Sequence, residues 1–266
     1  MTVQARRMLR AFADLGATDT TCFLGQWPYR LSAAADADAL RAHADRLGLH
    51  SVWVSHLASL FGFDTRTGNE AALAACADDP LFRVFATIDP RDPTWREELD
   101  DAVAAGARGV RVAPGFHRYE VSAVRPVLEV CADRGLPLQL IARLDDARVR
   151  HPLSPAVDLE LHRIADLVRE SPAHPLLLSG LNRADWITLN RHLGDAAPEW
   201  LRLDLWHVNG PTAVADGLGG DPERWMFGSA FPVQAPEATA LQLAASALSP
   251  SALRAITSDN ATALLA

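Results

Sequence analysis

The residues best suited to proton transfer stand together in "LDDARVRHP" (144–152), which directly follows Arg143. An imidazole such as that of His151 can act as a general acid or base near physiological pH. Asp145 or Asp146 could hold its ring in one tautomer, while Arg143 faces the charge that builds on a substrate. Asp146 acting directly as the base is the second mechanism. The pattern predicts all four as catalytic residues; an ordinary acidic turn is the structural alternative.

Arginine and aromatic side chains provide a second set of candidate residues. Guanidinium groups bind carboxylates through paired N–H donors, and flat rings add apolar contact area. The predicted substrate-binding residues are Trp27, Tyr29, Arg30, Arg111, His117, Tyr119, Arg148, Asp204 and Trp206. We expect a single cavity to be lined by Trp27, Tyr29, Arg30, His117, Arg143 and Asp146. Two structural alternatives stay open: Trp27 and Tyr29 merely cover the barrel mouth, and Asp204 pairs with Arg202.

Eight short β-prone runs position these residues, and helix-period segments lie between most of them. The runs are 18–25, 51–56, 83–89, 109–114, 137–144, 175–181, 201–207 and 225–232. Alternating strands and helices favour parallel pairing, and eight such units predict a (β/α)8 TIM barrel, one domain over 1–266 with a short N-terminal helix. An open doubly wound sheet is the alternative, but "LGQWPYR" (24–30) is not the Gly-rich turn that usually follows its first strand.

Composition limits the classes of partner. The chain has 266 residues, 49% of them hydrophobic, and a net charge of −8, which disfavours binding to nucleic acid or anionic membranes. It contains no lysine, which excludes a Schiff-base mechanism through that residue. Three widely spaced cysteines suit a reducing compartment, and the N-terminal segment has no unbroken apolar run. We therefore expect a soluble cytoplasmic protein.

Several stretches, in a fixed order along the chain, resemble a known family. They are "DTTCFLG" (19–25), "GNEAALAACADDP" (68–80), "GARGVRVAPGFHRYEV" (106–121), "DRGLPLQLIARLDD" (133–146), "ERWMFGSAFP" (223–232) and "ITSDNATALL" (256–265). The chain is similar over nearly its whole length to the amidohydrolase superfamily, and to its decarboxylase-like branch. That resemblance implies a barrel whose active site lies at the carboxyl ends of the strands. In its metal-binding members a metal activates water.

The places of the family's metal ligands hold other residue types here. Metal-binding members carry two histidines on strand 1, one on strand 5, one on strand 6 and an aspartate on strand 8. The resemblance assigns these places to Thr21, Phe23, Ile141, Ser179 or Gly180, and Ala230. Catalytic zinc needs about three His, Asp or Glu ligands. We therefore expect a divergent site with no stoichiometric metal and no other cofactor.

Two functions remain open. One is a metal-independent hydrolase, lactonase or decarboxylase for a small carboxylated metabolite. The other is a catalytically inactive barrel that binds a metabolite or a partner protein. The expected ligand is a small anionic molecule in either case, and a homodimer is compatible with the fold. Convergence of the polar groups on one pocket, with an accessible acid/base pair, would distinguish the enzyme.

Overall fold

Eight parallel strands form one sheet in sequential order, as shown by a computed structural model that describes residues 2–31, 34–62, 64–210, 213–218 and 220–265. The strands are β1 (Thr18–Leu24), β2 (Ser51–His56), β3 (Phe82–Thr87), β4 (Gly109–Val112), β5 (Leu138–Ile141), β6 (Leu176–Ser179), β7 (Leu201–Asp204) and β8 (Trp225–Met226). Neighbours pair in parallel throughout, as crossover helices require. All eight fall within the predicted runs, except that β3 begins one residue earlier.

The sheet closes on itself between β8 and β1. The Thr20 amide donates to the Phe227 carbonyl at 3.0 Å, and the Phe23 amide donates to the Phe231 carbonyl at 2.9 Å. These bonds continue the ladder beyond the short β8 and leave β1 without a free edge. The predicted (β/α)8 barrel is confirmed.

Helices cover the outside of the barrel, and their ends follow local sequence signals. Thr2 and Asp36 accept N-terminal amide bonds of the first two helices, and Gly48 ends the second in a left-handed conformation. No helix in the described ranges is long and apolar enough to cross a membrane. The helices are α1 (Val3–Ala13), α2 (Ala37–Leu47), α3 (Ala58–Phe61), α4 (Arg66–Cys76), α5 (Trp95–Ala104), α6 (Pro114–His117), α7 (Arg125–Arg134), α8 (Leu161–Glu170), α9 (Arg183–His192), α10 (Ala213–Leu218), α11 (Pro236–Ala245), α12 (Pro250–Arg254) and α13 (Asn260–Leu264), with short 3-10 or π turns at Val121–Val124, Pro222–Arg224 and Ala255–Asp259.

A buried arginine spans the barrel interior. Arg111, on β4, is 1% exposed, and its guanidinium donates to the carbonyls of Cys22 (2.8 Å), Thr20 (2.9 Å) and Trp53 (3.0 Å). It also donates to the side-chain oxygen of Gln139 on β5. Because β4 pairs with neither β1 nor β2, the side chain reaches these partners only across the interior.

Arg111 keeps its charge in this position. Burial lowers its pKa to about 10, while the interior anionic groups, Asp204 and Asp19 among them, act in the opposite direction. The rings of Phe23 and Phe85 lie 4.9 and 5.6 Å from the guanidinium carbon. With every donor nitrogen engaged, Arg111 offers nothing to a substrate. This differs from the expectation that it binds one.

Replacing Arg111 by Met should therefore destabilise the fold strongly. The variant leaves three buried carbonyls and Gln139 without their donor, which typically costs about 3 to 5 kcal/mol. Urea unfolding at neutral pH would measure the loss. Arg108→Met, at an exposed position just before the same strand, is the matched control and should change the free energy of unfolding by less than about 0.5 kcal/mol. Equal stability of the two variants would contradict a structural role for Arg111.

Candidate active site at the barrel mouth

An apolar cluster fills the centre of the barrel mouth. Two of its members, Phe23 and Ile141, occupy places where the family resemblance puts metal ligands, and both are completely buried. Trp27, expected in the cavity, belongs to the same cluster and is 2% exposed. The cluster consists of Phe23, Trp27, Leu57, Leu60, Ala113, Phe116, Ile141, Leu144 and Val233. Aromatic and aliphatic side chains supply no metal ligand, so these positions do not fit the family's metal.

Thr21 and Ser179 are polar residues at two of the family's ligand positions, and both bind Asp204. The Thr21 hydroxyl donates to Asp204 Oδ2 at 2.6 Å, and the Ser179 hydroxyl donates to the same oxygen. The Gly180 amide donates to Asp204 Oδ1 at 3.1 Å, and the Gln139 amide donates to Thr21 at 2.8 Å. One carboxylate and two hydroxyls do not make the three-ligand set of His, Asp or Glu that catalytic zinc needs. This part of the site does not fit the family's metal either.

Asp204 is a buried acid rather than a substrate contact. It is 0% exposed, and burial raises its pKa to about 6 although three hydrogen bonds act to lower it. The alternative ion pair with Arg202 is not formed: the guanidinium of Arg202 donates to the Leu201 carbonyl. Asp204 thus ends a chain of hydrogen bonds that begins at Arg111 and runs through Gln139 and Thr21.

The loop after β5 does not form the expected catalytic group. Asp145 binds Arg150 at 2.8 Å, and Asp146 is held by both backbone and side chain of Arg148. His151 is exposed and stacks on Tyr29 with ring centres 5.5 Å apart. No carboxylate contacts its ring in the described structure. The expected orientation of His151 by Asp145 or Asp146 is therefore corrected.

Arg143 is also committed to acidic partners. Its guanidinium lies 3.0 Å from Asp185 and 3.8 Å from Asp158, and its side chain is 13% exposed. Asp185 belongs to the capping box that begins α9. Arg143 thereby joins the loop after β5 to the loop after β6. This contact stabilises the rim and uses the charge that was expected to face a substrate.

The predicted cavity residues divide between two cavities. Tyr29 and His117 line one of about 760 Å³, whereas Arg30 and Asp146 line another of about 170 Å³. Trp27 and Arg143 belong to neither lining. The six residues therefore do not converge on one pocket.

The larger cavity presents a histidine that is already engaged. His117 Nε2 donates to the Ser59 carbonyl at 2.8 Å, and its buried Nδ1 has no hydrogen-bond partner in the described chain. Burial lowers the pKa of His117, so its ring is neutral at physiological pH. Its neighbour Tyr119 has a buried hydroxyl and lies under Arg91. Nδ1 lies 3.9 Å from Oδ2 of Asp89 and is itself buried, which limits its access to a substrate.

The smaller cavity contains an acid/base pair that the sequence-based prediction did not single out. His207 lines it together with Asp146, and Nε2 of His207 lies 3.8 Å from Oδ2 of Asp146. Nδ1 of His207 lies 3.0 Å from the Gly180 carbonyl. A carbonyl can only accept, so Nδ1 carries the proton and Nε2 has a lone pair in the neutral ring.

Trp206 connects this pair to the interior. Its ring stacks on His207 with centres 4.9 Å apart, and its Nε1 donates to Ser179 at 3.3 Å. Ser179 in turn binds Asp204. Trp206, which was predicted to contact a substrate, therefore holds the ring of His207 in place by stacking against it. The available sequence signal was the position of His207, which ends the apolar run of strand 7 directly after Trp206.

Comparison with known proteins places the chain within one family. The family model described as "Amidohydrolase" matches residues 24–266. No curated protein sequence matches. The match confirms the amidohydrolase resemblance.

Solved structures share the fold at low identity. The probable 2-pyrone-4,6-dicarboxylic acid hydrolase of Acinetobacter baumannii, with citric acid bound, is 13% identical with a TM-score of 0.67; 94% of this chain and 99% of that chain are covered. The 2,6-dihydroxybenzoate decarboxylase of Rhizobium is 16% identical (TM-score 0.69; 94% and 98% covered). The dihydroxybenzoic acid decarboxylase of Polaromonas sp. JS666, with bound manganese and 2-nitroresorcinol, is 17% identical (TM-score 0.68; 94% and 96% covered).

The raised pKa of Asp204 predicts a specific pH dependence of stability. A folded-state pKa of about 6 lies above the ordinary value of 3.8, so the folded protein holds this proton more tightly than the unfolded chain does. The resulting stabilisation is complete below about pH 4 and is lost as the pH rises through about 6. It amounts to roughly 2 to 3 kcal/mol.

Urea unfolding between pH 4 and pH 7 tests this dependence with the variant Asp204→Asn. Asparagine does not ionise in this range, so the variant should not lose stability as the pH rises through about 6. Its free energy of unfolding should therefore rise relative to that of the wild type as the pH increases. Asp133→Asn, at an exposed position on α7, is the control and should follow the wild-type profile. A profile for Asp204→Asn parallel to that of the wild type would show that Asp204 is not the responsible group.

Proposed function

The chain belongs to the amidohydrolase family, and we propose that it is a hydrolase for a small carboxylated ester or lactone. We further propose that it acts without a metal at the family's ligand positions. The bound manganese of the Polaromonas decarboxylase requires ligands, whereas the corresponding region here holds Phe23, Ile141 and hydroxyl groups already bound to Asp204. The reaction must therefore rest on side chains elsewhere at the mouth.

The observation that carries this proposal is the geometry of His207. Its Nδ1–H is fixed on the Gly180 carbonyl, so the Nε2 lone pair is directed away from the barrel wall. The 3.8 Å gap between Nε2 and Asp146 is longer than a direct hydrogen bond and suits a bridging water. Such a water would lie between Nε2 of His207 and the Asp146 carboxylate, within hydrogen-bond reach of a general base.

The substrate class follows from the lining of the small cavity. Arg30 donates one bond to the Val233 carbonyl at 2.7 Å, which leaves other N–H groups of its guanidinium for a carboxylate. The 170 Å³ volume suits a small organic acid better than a large one. The citric acid bound in the Acinetobacter protein is consistent with a small carboxylated ligand in this fold.

Hydrolysis in this cavity needs one proton to move twice. His207 Nε2 takes a proton from the bridging water while the water oxygen bonds to the substrate carbonyl carbon. The resulting oxyanion can be stabilised by Asn209 and Gln234, whose amide groups each donate one bond to a backbone carbonyl and keep a second N–H. When the carbon–oxygen bond to the leaving alkoxide breaks, His207 returns the proton to that oxygen.

Decarboxylation is the second reaction that the related folds suggest. It needs a proton donor at the carbon that loses CO₂. The Nδ1–H of His207 is held by the Gly180 carbonyl, which leaves Nε2 as the acceptor at the cavity. The geometry therefore favours hydrolysis.

Substituting the proposed base should remove activity without unfolding the protein. A panel of carboxylated lactones and esters, followed by acid release at constant pH, would identify a substrate. His207→Gln should then lower kcat by about 10² to 10⁴-fold, since it removes the general base. Asp146→Asn should lower it by a smaller factor. His151→Asn, at an exposed histidine of the same rim, is the matched control and should retain wild-type turnover.

Three outcomes would contradict the proposal. Full activity of His207→Gln with loss in His151→Asn would return the reaction to the loop after β5. Absence of turnover on the whole panel, with saturable binding of the same acids, would favour the inactive binding barrel. A chelator added to the native enzyme should leave kcat unchanged, and restoration of lost activity by manganese would refute metal independence.

A further inference from the structure

We propose that Asp19, Cys22 and His43 form a structural zinc site in the barrel wall, apart from the mouth. The candidate ligand atoms of these three residues all lie within 4.8 Å of one another, and each residue is 0% exposed. Asp19 and Cys22 stand on β1, and His43 stands on α2. A zinc ion there would tie the first strand to the helix that covers it. The site does not depend on the proposed hydrolase activity.

An irregularity in β1 makes the cluster possible. Residues three apart on a regular strand point to opposite faces, which would separate Asp19 from Cys22. The pairing of β1 with β2 shifts register between these two residues. A bulge of this kind redirects side chains, and it brings both donors to the same side of the strand.

The distances are close to those that zinc requires. His43 Nε2 and Asp19 Oδ2 lie 3.0 Å apart. Ligand atoms on a tetrahedral zinc, with bonds of about 2.0 to 2.3 Å, stand roughly 3.3 to 3.7 Å apart. Binding therefore needs shifts of about an ångström or less. Ser229 Oγ lies 3.7 Å from Cys22 Sγ and is a neighbouring oxygen atom.

Outer contacts already hold the donors in place. Asp19 Oδ1 accepts from the Ser229 amide at 2.9 Å and from the Thr21 amide at 3.2 Å, which leaves Oδ2 facing His43. The His43 ring stacks on Phe231 with centres 4.5 Å apart and planes 8° from parallel. These contacts orient the Asp19 carboxylate and the His43 ring before an ion binds, while Nδ1 of His43 has no hydrogen-bond partner among the described residues.

Charge and ligand type select the ion. A Cys22 thiolate and an Asp19 carboxylate carry two negative charges, which balance a divalent cation, while His43 binds as a neutral ring. The thiol proton leaves to solvent when zinc binds. Thiolate and imidazole ligands favour zinc over magnesium, calcium or manganese. A zinc ion here would differ from the expected metal-free chain. Its ligands lie outside the family's ligand positions, on which that expectation was based.

Metal analysis of the full-length protein tests the site. Protein from cells grown with added zinc should contain about one zinc per chain after dialysis, measured by plasma mass spectrometry. Cys22→Ser and His43→Gln should each lose most of it. Cys131→Ser, at another buried free cysteine outside the cluster, is the matched control and should retain full zinc content.

Cobalt spectroscopy keeps the test decisive if a variant fails to fold. Wild-type protein produced with cobalt should show a thiolate-to-cobalt charge-transfer band, which Cys131→Ser should retain. Absence of zinc and of this band from the wild type would overturn the proposal, as would full zinc content in Cys22→Ser. Because the readout is bound metal, failure of the zinc site and failure of the hydrolase activity are separate results.

Discussion

The buried positive charge of Arg111 is the constraint on which the rest of the barrel interior depends. A charge removed from water is costly unless its hydrogen bonds are satisfied. Here the carbonyls of two strands and the Gln139 side chain accept from it. Gln139 then binds Thr21, and Thr21 binds the carboxyl group of Asp204. The interior is thus polar but internally paired, and it already contains the cationic guanidinium of Arg111.

This interior places the proposed site to one side of the mouth. Phe23 packs against Arg111 below and against the apolar cluster above, so the axis of the barrel is closed to a substrate. The groups that stay accessible lie around the cluster. Of these, His207 combines a fixed tautomer, a neighbouring carboxylate and a cavity wall. Trp206 and Ser179 connect that base to Asp204, so the interior network also positions the site.

The fold could be predicted from sequence because each strand and helix has a local signal. Short β-prone runs predicted the strands. Gly48 and Gly135 end helices in the left-handed conformation that glycine adopts easily. The proposed catalytic residues His207 and Asp146 could not be predicted from such local signals. His151 lies in the same short loop as two acids, but Asp145 and Asp146 bind arginines instead. The choice among several nearby charged partners leaves no periodic pattern in the sequence. Asp146 meets His207, 61 positions later, only through the closure of the barrel.

We propose that the Arg111 network, rather than a metal, occupies the barrel axis. A crystal structure from protein grown and crystallised with excess manganese would test it most directly, using anomalous scattering at the manganese edge. We expect no anomalous peak between Thr21, Gln139 and Asp204. The Arg111 guanidinium should be bound to the carbonyls of β1 and β2. A well-occupied peak beside Thr21 and Asp204, with Arg111 displaced, would contradict it.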